Sequence, residues 1–158
     1  MNNTQELVFK DIHELQSHQG KALPSGEWIL VTQDMIDAFA DATQDYQWIH
    51  TDTARAEKES PFKKTIAHGF LSMSLLSKML MDLVKVTSVE LGINYGLNQV
   101  RFPHPVPVNS YVRLQSAISD IESYKENGYK ITWDCSIEIK GIDKPACVAE
   151  FISLMFEK

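Results

Sequence analysis

Asp45 and His50 stand five positions apart in the stretch Asp45-Tyr46-Gln47-Trp48-Ile49-His50, and Gly69 opens a long apolar run nineteen positions further on. A carboxylate and an imidazole are side chains suited to exchanging protons near neutral pH. A glycine that starts a helix presents a backbone N–H with no intrahelical acceptor, backed by the positive end of the helix dipole. Together these are parts for general acid–base chemistry on a substrate whose oxygen gains negative charge. Each part also has an ordinary reading. A loop Asp or His is commonly a cap or a solvated residue, and a small residue often begins a helix where elements pack closely. His68, beside Gly69, reads as a packing or capping residue. Ser77 lies two turns along the same helix, on the side of Gly69 and Met73. The spacing of Asp45, His50 and His68 matches no zinc or iron motif, so no metal is expected. No Gly-x-Ser-x-Gly elbow marks a serine hydrolase.

These residues need elements to hold them. Thr32 can cap a helix from Gln33 to about Thr43, with Met35, Ile36, Phe39 and Ala40 on its apolar face. Asp45 then falls just beyond that helix, in a polar loop that also carries His50. Asp52 can cap a second, short helix that stops before Ser60-Pro61. From His68 to Val86 apolar residues occupy almost the whole helical circumference, leaving Ser74, Lys78, Asp82 and Lys85 as a polar stripe. A helix of that composition has to be wrapped by protein.

The C-terminal half supplies strands. Tyr129, Ile131, Trp133, Cys135, Ile137 and Ile139 alternate with polar residues, the period-two signature of a strand with one wet face. Val112, Leu114 and Ile118 pattern similarly, with Glu126-Asn127-Gly128 as the hairpin turn. Val89–Phe102 is another extended run, and Ala146–Phe156 is apolar on both parities, as in a strand covered on two faces. One earlier strand, Glu27–Thr32, and a short N-terminal helix through Ile12 and Leu15 precede the long helix. The fold class is α+β, a single domain over 1–158 with a curved antiparallel sheet wrapped around a central helix.

Bulk properties narrow the function classes. The 158 residues carry 15 Lys plus Arg against 21 Asp plus Glu, a net charge of −6 with no basic cluster, so nucleic acid is not an expected partner. Met1–Glu6 lacks the apolar run of a leader peptide, and the stretch 69–86 is interrupted by Lys78, Asp82 and Lys85, so no membrane segment is expected. Cys135 and Cys147 read as reduced packing residues of a cytoplasmic protein.

The motif Ala42-Thr43-x-Asp45-x4-His50, followed by Ala67-His68-Gly69-Phe70-Leu71-Ser72 leading the long helix, resembles the MaoC-like dehydratases. These include the R-specific enoyl-CoA hydratases of the hot dog fold. Leu97–Val108 is similar to the strand and edge that follow the helix in that family, and the likeness is nearest the nodulation protein N-like branch. The resemblance implies an enzyme that reversibly adds water to a trans-2-enoyl-CoA, giving an (R)-3-hydroxyacyl-CoA, without metal or organic cofactor. It implies that Asp45 and His50 handle the protons, that the Gly69 N–H holds the thioester oxygen, and that Ser77 supports the site. It also implies a homodimer joined edge to edge. Which of Asp45 and His50 is the base stays open, as does acyl length. The family usually has Asn-Pro where this chain has Gln47-Trp48; Gln47 retains an amide and Trp48 adds bulk. Lys63, Lys64 and Arg101 are the candidate contacts for the anionic groups of CoA. A hot dog thioesterase and a non-catalytic acyl-thioester-binding subunit are the competing readings. The retention of both Asp45 and His50 favours an enzyme.

Overall fold

A computed structural model describes residues 6–158. Among the described residues seven strands and five helices follow one another as β1 (Leu7–Phe9), α1 (Ile12–Gln16), β2 (Ile29–Val31), α2 (Gln33–Thr43), α3 (Trp48–Thr51), α4 (Thr53–Glu59), α5 (Gly69–Leu83), β3 (Val84–Val86), β4 (Val89–Arg101), β5 (Ser110–Ser123), β6 (Gly128–Ile139) and β7 (Ile142–Glu157). An antiparallel five-stranded sheet in the order β2-β5-β6-β7-β4 carries α5 against β5, β6 and β7. The alternation read in β6 is realised. Ile131, Trp133, Cys135, Ile137 and Ile139 are buried, while Thr132, Asp134, Ser136 and Glu138 retain solvent. On α5 the buried face is Leu71, Ser72, Leu76, Met79, Leu80 and Leu83. The apolar side chains of helix and sheet merge into one core.

Sequence and structure part in four places. The long helix ends at Leu83 rather than Val86, because Val84–Val86 turn into a strand paired in parallel with Leu7–Phe9. Two strands therefore precede α5, where one was expected, and Lys85 leaves the helix's polar stripe. Nor is α5 wrapped on every side by this chain, since Phe70 is 63% and Met81 74% exposed. On β7 the covered face is Cys147, Ala149, Phe151 and Ser153, while Val148, Glu150 and Ile152 on the other face are only partly covered. The β5–β6 hairpin forms where expected, and Gly128 is needed there, because an added Cβ would lie 2.2 Å from the Tyr124 carbonyl oxygen.

Inside the core the Trp133 indole Nε1–H donates to Ser153 Oγ at 2.9 Å, with the tryptophan 1% exposed. Ser153→Ala leaves that donor without its acceptor and is expected to destabilise the fold by about 1–3 kcal/mol. A urea midpoint that does not move would contradict the assignment of this bond as the indole's means of burial.

Candidate active site

The site is assembled from three chain segments that meet through hydrogen bonds. Thr32 Oγ1 accepts from Met35 N and starts α2 as expected, and the helix is stopped by Gln44 in the left-handed region at φ 60°. That turn brings the chain back at Asp45, whose carboxylate Oδ1 accepts weakly from Gln47 N at 3.4 Å. The loop expected to hold His50 contains one helical turn, α3, and His50 lies within it. From the first turn of α2, Gln33 Nε2 donates to the His50 carbonyl at 2.8 Å, tying α2 to α3.

The third segment is 65–67. It is pinned by Val108 N to Thr65 O at 2.9 Å, Ala67 N to Val106 O at 2.8 Å, and Ile66 N to Ile49 O at 3.1 Å. Its Ile66 carbonyl lies 2.7 Å from His50 Nδ1. A carbonyl oxygen only accepts, so Nδ1 bears the hydrogen and the neutral ring carries its lone pair on Nε2. His50 is 8% exposed. Burial pushes its imidazole below the ordinary value of 6.5. The Ile66 carbonyl opposes that shift, nearby His68 adds to it, and the Asp45 carboxylate opposes it.

His68 was expected only to pack or cap, and the structure places it at the centre. Its side chain makes no capping bond to α5. Instead its ring stacks on His50 with centroids 3.8 Å apart and 26° between planes. Its Nε2 lies 3.0 Å from the Asp45 carbonyl oxygen and 4.0 Å from Asp45 Oδ2. One carboxylate oxygen of Asp45 and one ring nitrogen from each histidine thus fall within 4.8 Å of one another. Local spacing held no signal for this, because the contacts span eighteen and twenty-three positions of chain.

Gly69 is the first residue of α5 and follows His68 directly. Its N–H therefore has no acceptor within the helix and lies at the dipole's positive end. A Cβ on Gly69 would meet the Phe102 ring at 3.0 Å, so the glycine keeps the backbone approachable beside that ring. Ser77, about 12 Å further along the helix axis, lines an apolar cavity of about 260 Å³ with Leu80, Met81, Trp133, Phe151 and Met155. Leu80 contributes to that lining, whereas Met73 and Leu76 do not. Gln47 is exposed and touches Asp45 through its backbone, whereas Trp48 stacks under the Arg55 guanidinium at 4.3 Å. Lys63, Lys64 and Arg101 are all exposed, with Lys63 Nζ donating to the Lys58 carbonyl.

Both thiols are buried and free, Cys135 pushed up to about 12 and Cys147 to about 11 by burial, which suits packing residues. Among the described residues no helix is long and apolar enough to cross a membrane.

Comparisons place this architecture. The MaoC like domain model matches residues 14–138. The chain is 43% identical over 145 residues to 3-hydroxyacyl-thioester dehydratase Z of Mycobacterium tuberculosis, covering 92% of this chain and 95% of the relative. It is 41% identical over 151 residues to Nodulation protein N of Rhizobium leguminosarum bv. viciae, covering 95% and 92%. The unliganded R-hydratase of Pseudomonas aeruginosa superposes with a TM-score of 0.73 at 21% identity, over 95% of this chain and 88% of that one, a likeness of fold. A sheet packed on one central helix, a family match across most of its length and relatives above 40% identity make this chain a hot dog-fold member of the MaoC-like dehydratase family of hydro-lyases.

Proposed function

We propose that this enzyme catalyses the reversible hydration of a trans-2-enoyl thioester to the (R)-3-hydroxyacyl thioester, with CoA as the carrier. The observation that carries the reading is the His50 Nδ1–H bond to the Ile66 carbonyl at 2.7 Å, which leaves Nε2 as the proton acceptor of a ring that has one nitrogen within 4.8 Å of an Asp45 carboxylate oxygen. In the hydration direction His50 Nε2 takes one proton from water as the hydroxyl adds to C3, and Asp45 accepts the other O–H and orients the water. The thioester oxygen gains enolate character and is held by the Gly69 N–H. The imidazolium, favoured by the Asp45 carboxylate, then returns its proton to C2. The balance is one water in and no other reagent.

The cavity beneath Ser77 offers apolar volume for the acyl chain on the same helix that carries the oxyanion donor. Exposed Lys63, Lys64 and Arg101 are the proposed contacts for CoA phosphates, since the net charge of −6 makes local cations necessary. Relatives named dehydratase and R-hydratase support the reaction class. The test is loss of enoyl absorbance with crotonyl-CoA and octenoyl-CoA, with a thiol reagent present in a parallel sample. Absorbance loss without thiol release supports hydration. Thiol release would replace it with thioester hydrolysis.

The working unit is proposed to be a homodimer formed through β4. Among the described residues that strand pairs with β7 on one edge only, and it exposes Leu91, Ile93, Tyr95 and Leu97. An open apolar edge of thirteen residues is a template for a second copy. Size-exclusion chromatography with light scattering should give twice the 18.0 kDa chain mass, and Ile93→Lys should shift it to monomer. A wild-type monomer at micromolar concentration would contradict the dimer.

A further inference from the structure

The proposed chemistry uses Asp45, His50 and Gly69, and leaves unexplained why a third polar ring is buried among them. His68 is 3% exposed, and its Nδ1 is buried without a hydrogen-bond partner among the described residues. An unpaired polar atom in the interior is costly, and an apolar ring would fill the same space without that cost. What a phenyl ring cannot supply is the Nε2–H, which donates to the Asp45 carbonyl at 3.0 Å. That bond acts on the main chain of the residue whose carboxylate is otherwise held by one long contact to Gln47 N. The opposite property of the ring, its flat face, lies on His50 at 3.8 Å, with Phe39 of α2 at 5.0 Å behind it. One side chain therefore touches both members of the pair, and it leads directly into the residue that offers the oxyanion donor.

We propose that His68 is a positioning residue for the acid–base pair: its Nε2–H fixes the Asp45 backbone while its ring face fixes the plane of His50. The proposal rests on the hydration reading for its kinetic consequences and on the geometry alone for its structural ones. The titratable groups facing His68 are Asp45, at 4.0 Å from Nε2, and His50 in the stack. Displacing either by about 1 Å from the reacting water costs on the order of 10²-fold in rate.

Two substitutions separate the functions of the ring. His68→Phe keeps a flat ring on His50 and removes the donor. His68→Gln places an amide donor near the position of Nε2. The expected result for His68→Phe is a kcat lower by about 10–100-fold with KM within twofold, an unchanged melting temperature, and a His50 titration midpoint moved upward. His68→Gln should recover part of the lost kcat. Wild-type kcat in His68→Phe would overturn the proposal, and so would equal impairment of both variants with no change in the His50 titration. The wild-type protein gives an independent reading by long-range nitrogen–proton NMR of the imidazoles. Nε2–H on His68 and Nδ1–H on His50 at neutral pH support the clamp, and the opposite tautomer of His68 overturns it even if neither variant folds. A wild-type enzyme inactive on every enoyl thioester would defeat the hydration reading, while the His68 and His50 spectra would still decide the positioning claim.

Discussion

His50→Ala is expected to lower kcat for enoyl-thioester hydration by about 10²–10⁴-fold, the range of a lost general base, with KM little changed because the proposed acyl and CoA contacts lie elsewhere. Asp45→Asn, which keeps the shape and removes the charge, should fall in the same direction. The wild-type pH profile carries the same signature. The proposed mechanism needs neutral His50, and burial holds its imidazole below the ordinary 6.5. The acid limb of kcat/KM should therefore lie below pH 6.5 and vanish in His50→Ala. The linked stability effect has a definite sign. The unfolded chain binds the proton more readily than the native one, so this contribution is complete above about pH 6.5 and is lost as pH falls through the native value. An acid limb unaltered by His50→Ala would remove His50 from the chemistry.

Gly69→Pro should have an effect of similar size through a different atom. Proline at the first position of a helix costs little, since the N–H it lacks has no intrahelical partner. The preceding residue already has the conformation that proline demands, with His68 at φ −58° and ψ 138°. The substitution thus removes the proposed oxyanion donor while leaving α5 able to form. Loss of one such donor is expected to cost about 10²–10³-fold in kcat. Gly69→Ala is the paired control, because its Cβ meets the same Phe102 ring at 3.0 Å but the N–H stays. Phe102 is 39% exposed and has room to yield. A circular-dichroism melt alongside the kinetics checks that both variants fold. Equal losses in alanine and proline variants would assign the effect to crowding by Phe102 and not to the donor.

Elements defined by local chemistry are legible in the amino-acid sequence itself. Thr32 and Asp52 cap their helices through side-chain oxygens, as their types and positions indicate. The alternation of β6 marks its buried face because a strand's side chains can only point two ways. Val84–Val86 misleads for a comparable reason. Its apolar residues continue the helical pattern, and what ends the helix is a parallel pairing with Leu7–Phe9, some seventy-seven positions away. Of the candidate site, Asp45, His50 and Gly69 are proposed from their types and the family likeness. Sequence does not reveal the bond that selects the His50 tautomer, since the Ile66 contribution is a main-chain carbonyl with no side-chain signature. The roles of Gln33 and His68 are hidden likewise. Gln33 reads as an ordinary first-turn residue of α2, yet it holds α3 in place.

The departure at Gln47-Trp48 also has a structural account. Trp48 begins α3 and places its indole under Arg55 of α4, joining the two short helices. The turn that a rigid residue would enforce is thus held here by packing between neighbouring helices. Gln47 contributes its backbone N–H to Asp45. The loop can change its side chains and still deliver the carboxylate.

The most direct test of the acid–base account is hydration of a trans-2-enoyl-CoA in deuterated water, with the product resolved by NMR and chiral analysis. A single imidazole that takes the proton from water and returns it to C2 predicts one deuterium at C2, delivered to the same face as the hydroxyl, and the proposed function predicts that the 3-hydroxyacyl product is (R). Addition to opposite faces, an (S) product, or free thiol in place of a hydroxyacyl thioester would contradict it.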